Sequence, residues 1–249
     1  MDYIFRGDHN GPRQLTQERN TDMAKNDAFS APVNYWGTIA GLTPKSSSDG
    51  KSSSVSEAPN EYGDTIAHAV YGEVIAPTTE CAVTGSVNLS GIVLGSVHDV
   101  GNKKVMLTTV SITTQAGQPP TVSISGVEVE SGATAKRTYP CSGTLTPRSK
   151  SQDVAGAFAA SEKFTSINTT FSVDPHVQTV EGTPVASDCS HGRVEVQGTM
   201  TDDDGTGAIT AGTGFTITAA EAESDPDAGY QTKTATATKF LTGTEGSSS

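Results

Sequence analysis

The chain has 249 residues, 34% of them hydrophobic and only 6% aromatic, with Ser, Thr and Gly filling the difference. A formal net charge of −12 and a pI near 4.7 exclude a phosphate-tracking surface of the kind that drives nucleic-acid affinity. β-branched Thr and Val suit pleated strands and Gly supplies turns, so the composition predicts an all-β protein, with material for one large domain or two small ones.

Residues 1–64 read as an extended polar arm. Residues 1–29 lack the basic and apolar blocks of a secretory leader, and no later run approaches the length of a membrane span, so cytoplasmic synthesis and no membrane partner are expected. The only tryptophan, Trp36, sits with Tyr35, Ile39 and Leu42. It can anchor the arm on its own domain, which is the economical reading, or on a neighbouring subunit. The run Pro44–Asn60, "PKSSSDGKSSSVSEAPN", reads as a flexible linker or loop.

From residue 65 to 242 strand-like segments follow at short spacing: "AHAVYGEVIA", "CAVTGSVNLSGIVLG", a hairpin over 104–131, "KRTYPCSGTLT", "FTSINTTFSV", "GRVEVQGTMT", "GFTITAA" and "YQTKTATATKFL". Their Gly and Pro punctuation predicts a β-sandwich or barrel with long hairpins. One short helix is expected over Ser151–Phe164, where Ser151 can cap, alanines favour helix, and Val154 and Phe158 share a helical face. Residues 243–249 read as a frayed tail.

In the hairpin, Val105 and Leu107 fall on odd positions but Val110 and Ile112 on even ones, and the returning strand switches the same way, from Val122 and Ile124 to Val127 and Val129. Side chains alternate along a strand, so the apolar face changes halfway along. A register in which paired numbers sum to 234 matches all four apolar pairs. Two readings follow: a bulge near Thr108 and Gly126 within one ordinary domain, or an arm whose tip packs on a second subunit. The second makes Val110, Ile112, Val122 and Ile124, with Trp36, candidate subunit-interface residues.

No catalytic, metal or cofactor site is expected. "SDCSHG" at 187–192 and "DPH" at 174–176 hold the side chains of a hydrolase, yet any Ser-rich chain with five histidines offers such fragments, and no G-x-S-x-G elbow is present. "TDDDGTG" at 201–207 has consecutive rather than alternating acids ahead of its glycine, so an acidic turn is expected instead of a calcium loop. "GTGAITAGTG" lacks the Lys of a phosphate loop. Cys81, Cys141 and Cys189 are widely spaced and form no CxxC, which supports neither a disulfide framework nor a cysteine-rich zinc site.

The stretches "NEYGDTIAHAVYGEVIAPTTECAV", "LTTVSITTQAGQPPTVSISGVEVESGA" and "SHGRVEVQGTMT…TAGTGFTIT" resemble structural proteins of tailed-phage and prophage virions, the tail tube class above all, over most of residues 60–241. The resemblance implies a β-sandwich with a flanking helix. It further implies self-assembly into hexameric rings stacked as a hollow tube in the virion tail, made in a bacterial cytoplasm and joined to other tail or head-completion proteins. DNA would pass through without being bound, and Asp202, Asp203 and Asp204 become candidates for an acidic lumen. A capsid decoration or head–tail connector protein shares this composition, and a secreted β-sandwich enzyme or glycan binder is the reading from another class.

Overall fold

A computed structural model describes residues 35–59, 65–100, 102–130, 136–159, 163–180, 183–202, 208–225 and 230–245. Residues 32–249 form one compact unit, and the proposed arm up to residue 34 lies outside the described residues. The class is all-β. In chain order the strands are β1 (Leu42–Ser48), β2 (Ser52–Pro59), β3 (Thr65–Val74), β4 (Thr78–Val83), β5 (Val87–Asn88), β6 (Val93–Leu94), β7 (Val97–Val100) and β8 (Lys103–Gln115). There follow β9 (Gln118–Glu128), β10 (Arg137–Pro140), β11 (Thr144–Leu145), β12 (Phe164–Val180), β13 (Thr183–Asp202), β14 (Thr216–Asp225), β15 (Tyr230–Phe240) and β16 (Thr244–Glu245).

One nine-stranded antiparallel sheet dominates, in the order β1-β4-β9-β8-β12-β13-β15-β14, with β7 added beside β8. Its middle strands are Thr- and Val-rich with a period of two, so one face carries apolar side chains and the other hydroxyls. On β15, for instance, Ala235 and Ala237 are buried while the alternating Thr234, Thr236 and Thr238 are half exposed. Over the apolar face lie the short strands β5, β6, β10 and β11, paired among themselves and with β16. Asn88 caps the 3₁₀ turn Leu89–Gly91 between them, its Oδ1 accepting the Ser90 amide at 3.1 Å. Each short segment delivers one fully buried apolar group, namely Val87, Leu89, Leu94 and Leu145, into the core that holds Phe171 and Ile167 of β12. Each such side chain contributes about 1.5–3 kcal/mol by leaving water.

The β8–β9 hairpin resolves its sequence puzzle through a bulge. From Thr109 to Thr113 the paired numbers sum to 234 as expected, with Val110 opposite Ile124 and Ile112 opposite Val122. Below Thr108 the register shifts by one, so that Val105 faces Glu128 and Leu107 faces Gly126 instead of Val129 and Val127. The extra residue, Thr108, sends the root's apolar side chains to the second face. Trp36 explains why that face is apolar. Its indole is buried edge-on against His98, with ring centroids 5.6 Å apart, and a Cβ built on Gly126 would stand 2.6 Å from it and 2.3 Å from the Met106 carbonyl oxygen. Only glycine leaves room for that indole. The Trp36 cluster thus docks on its own domain.

Three expectations are corrected. The helix over Ser151–Phe164 does not form, since the described residues 151–159 are irregular backbone and turns with an isolated bridge from Phe158 to Ala211. Their polar side chains engage nearby backbone instead: the Asp153 carboxylate accepts the Phe158 amide at 2.7 Å, Gln152 Nε2 donates to the Thr146 carbonyl at 2.8 Å, and Ser151 Oγ donates to the Phe164 carbonyl. Such bonds compete with a helical ladder, and Gly156 at φ 69° breaks it. The Ser-rich run is not a linker, because β1 pairs with β4 and β2 with β3. Ser and Thr complete strand edges well enough once an existing strand supplies the ladder. The tail, finally, is partly tied down, with Thr244 and Glu245 pairing with Thr138 and Arg137.

Candidate functional site

The candidate interface residues lie inside the domain. Val110, Val122 and Ile124 are 0% exposed, Ile112 1% and Trp36 5%. As a subunit interface this set is corrected: the bulge at Thr108 lets both faces of the hairpin fill one core, so these apolar side chains are not left for a neighbour. Asp203 and Asp204 lie outside the described residues, while the backbone of Asp202 ends β13 opposite Gln231. The adjacent lysines Lys103 and Lys104 are both engaged by acids, Lys103 with Glu128 at 2.8 Å and Lys104 with Asp99 at 3.0 Å.

The two fragments "DPH" and "SDCSHG" are brought together by the pairing of β12 with β13. This hairpin outruns its neighbours, because β12 leaves β8 after Ser172 and β13 joins β15 only at Arg193. In the free stretch Asp174 lies opposite Ser190 and His176 opposite Asp188, with a bulge that sets His191 and Gly192 against Val173. His191 adopts a left-handed backbone, φ 52°, the one described non-glycine residue to do so. Bulges and such conformations re-aim side chains, and they concentrate at functional sites.

Here the re-aimed group is the Ser190 hydroxyl. It lies 2.7 Å from His176 Nε2 and 2.9 Å from His191 Nδ1. Asp174 reaches the same His191 nitrogen at 3.7 Å and Arg193 at 3.7 Å. Because hydroxyl and carboxylate share one imidazole nitrogen, this is not the charge-relay order of a serine protease, in which they occupy opposite nitrogens.

Ser190 and His191 open onto a cavity of about 370 Å³ that Arg137, Tyr139, Gly192, Phe240, Leu241, Gly243 and Glu245 complete. Tyr139 forms its floor, fitting against Gly192, where an added Cβ would stand 2.2 Å from the ring. Phe240 is the most exposed large hydrophobic side chain among the described residues, at 73%. Arg137, Tyr139 and Phe240 come from strands distant in sequence, and only the spacing of small residues around them, Gly192 and Gly243, hints at a concavity.

All three cysteines are buried and free. Burial pushes the Cys141 thiol up to about 12. Burial and the neighbouring Asp188 push Cys189 to about 11 despite the opposing pull of Arg137, so Cys189 is no nucleophile at neutral pH. Burial and Glu80 raise Cys81 as well. Among the described residues no three His, Cys, Asp or Glu side chains cluster as a metal site, and no helix is long and apolar enough to cross a membrane. Compared with known proteins, the chain matches no family model and no curated protein.

Proposed function

We propose that the chain is a structural protein that self-associates through the two edges of its main sheet, and that the assembly is the stacked-ring tail tube of a phage-type virion. The observation that carries this reading is β14. Among the described residues it is a ten-residue edge strand paired on one side only, by β15. Apart from half-buried Ile217, every side chain from Thr216 to Ser224 is exposed. A long unpaired edge is a template for another strand, and the Glu221 and Glu223 side chains and the register shift between Ile217 and Ala219 restrict which strand can join it.

The strand count favours a head-to-tail partner. Eight strands lie on the path from β1 to β14, each antiparallel to the next, so the two edges run in opposite directions. A copy placed edge to edge continues the alternation, and such heterologous contacts close into rings when the rotation permits. In such a copy Glu221 and Glu223 of β14 would meet an edge that carries Lys45, which also pairs with Glu80 of its own chain at 3.5 Å. Like charges oppose β14 pairing with itself. The formal charge of −12 per chain, repeated around a ring, gives a negative field at its opening that suits passage of DNA without binding.

Sedimentation at rising concentration and negative-stain electron microscopy test the reading. Rings or stacked tubes are expected, and Glu221→Lys with Glu223→Lys should dissolve them without unfolding the subunit. A monomer at all concentrations would refute self-assembly, and discrete particles that bind capsids without stacking would transfer the protein to the decoration or connector class. Salt-sensitive binding of duplex DNA, read by fluorescence anisotropy, would refute the passage role.

A further inference from the structure

We propose that Ser190 is an activated nucleophile that takes small carboxylic esters into the cavity beside it, with His176 as its general base.

The direction of the hydrogen bonds follows from charge. The Asp174 carboxylate, 3.7 Å from His191 Nδ1, favours the tautomer that carries its proton on that nitrogen. His191 Nδ1 then donates to Ser190 Oγ at 2.9 Å. The hydroxyl has a single proton, and the remaining acceptor within reach is His176 Nε2 at 2.7 Å. The chain therefore runs from Asp174 through His191 and Ser190 to His176, and it directs the serine proton at His176 Nε2. Asp174 and His191 are positioning residues, while Ser190 and His176 touch the reacting atoms.

The backbone supports the same assignment. The bulge and the left-handed His191 hold the imidazole over the hydroxyl of the preceding residue, a backbone conformation that persists only where the surroundings enforce it. The cavity supplies the other requirements of acyl transfer. Phe240, Leu241 and the Tyr139 ring offer an apolar wall for an alkyl or aryl group, and Arg137 adds a cationic side chain to the same lining.

In the reaction Ser190 Oγ attacks the ester carbonyl carbon as its proton passes to His176 Nε2. The tetrahedral adduct expels the alcohol, which takes that proton, and leaves an acyl group on Ser190. Water then attacks the acyl carbon, giving its proton to His176, and the serine departs with that proton while the carboxylic acid is released.

A fluorophosphonate probe reports the first half directly, since Ser190 Oγ displaces fluoride from phosphorus as its proton leaves to His176. Peptide mapping of the full wild-type chain should place the label on Ser190, and p-nitrophenyl butyrate should be hydrolysed with a burst. Ser190→Ala should abolish both, and His176→Gln should slow labelling by about 10²-fold or more, with sedimentation and circular dichroism unchanged. Labelling no greater than that of heat-denatured protein, or label spread over other serines, would overturn the proposal. The mapping uses the unaltered chain, so a variant that fails to fold does not blunt it. Assembly is read separately, so loss of rings and loss of labelling remain distinguishable.

Discussion

Replacing Ile112 by alanine separates the two readings of the β8–β9 hairpin. Ile112 is 1% exposed and lies opposite Val122, which is 0% exposed, in a single core shared with Val110 and Ile124. Truncating a fully buried isoleucine removes the transfer free energy of its methylenes and leaves a cavity, together about 2–5 kcal/mol. The upper half of that range is expected, because the neighbours belong to strands held from both sides by β4 and β12 and cannot collapse into the space. At about 2–4 °C per kcal/mol for a chain of this size, melting should fall by about 7–20 °C. Thermal melts followed by far-ultraviolet circular dichroism at two concentrations, the lower well beneath any assembly threshold, measure the effect. A core residue lowers both melts equally. If the dilute variant melts with the wild type and only the concentrated sample loses stability, Ile112 stabilises a contact between subunits and the packing argument is refuted.

Gly126→Ala forces a methyl against the Met106 carbonyl and the Trp36 indole; a loss of about 1–3 kcal/mol or more is expected in urea titrations, and an unchanged midpoint would contradict the fit. Lys103→Met leaves the Glu128 carboxylate, 13% exposed, with the Ile75 amide at 2.9 Å as its remaining charge-stabilising bond. About 1–3 kcal/mol should be lost, and Glu128→Gln in the same chain should recover part of it. Burial lowers the His98 pKa against a smaller opposing effect of Asp99, so the unfolded chain takes up the proton first. His98 therefore leaves stability intact above its unfolded value of about 6.5 and erodes it as pH falls toward the depressed folded value; denaturant titrations of His98→Gln should show a flatter acid limb. Thiol titration of the native chain at pH 8 should find Cys81, Cys141 and Cys189 unreactive, all three reacting in denaturant, and prompt reaction of Cys189 in the folded state would show that its burial is overstated.

Alternation of Val, Ile and Thr with hydroxyl and charged residues marked most of the strands from the sequence, and the Val110–Ile124 and Ile112–Val122 pairs could be matched in register, because a period of two is written directly in neighbouring residues. Sequence could not choose between bulge and arm at Thr108. That choice rested on Trp36, distant in sequence, whose indole needs the space at Gly126. Propensity misread Ser151–Phe164 as helix, since alanine's preference is worth only tenths of a kcal/mol per residue, less than the backbone bonds that Ser151, Gln152 and Asp153 make in their place. It misread the serines of β1 and β2 as linker, because an edge strand borrows its ladder from a neighbour and needs few apolar residues of its own. The site shows the same division. Ser190, His191, Asp174 and His176 were visible as fragments, but a fragment carries no distance, and the antiparallel pairing of β12 with β13 is what sets two imidazoles on one hydroxyl. Arg137, Tyr139 and Phe240 reach the same cavity from strands far apart in the chain, a convergence that depends on sheet order, and sheet order is set by the packing of the whole core.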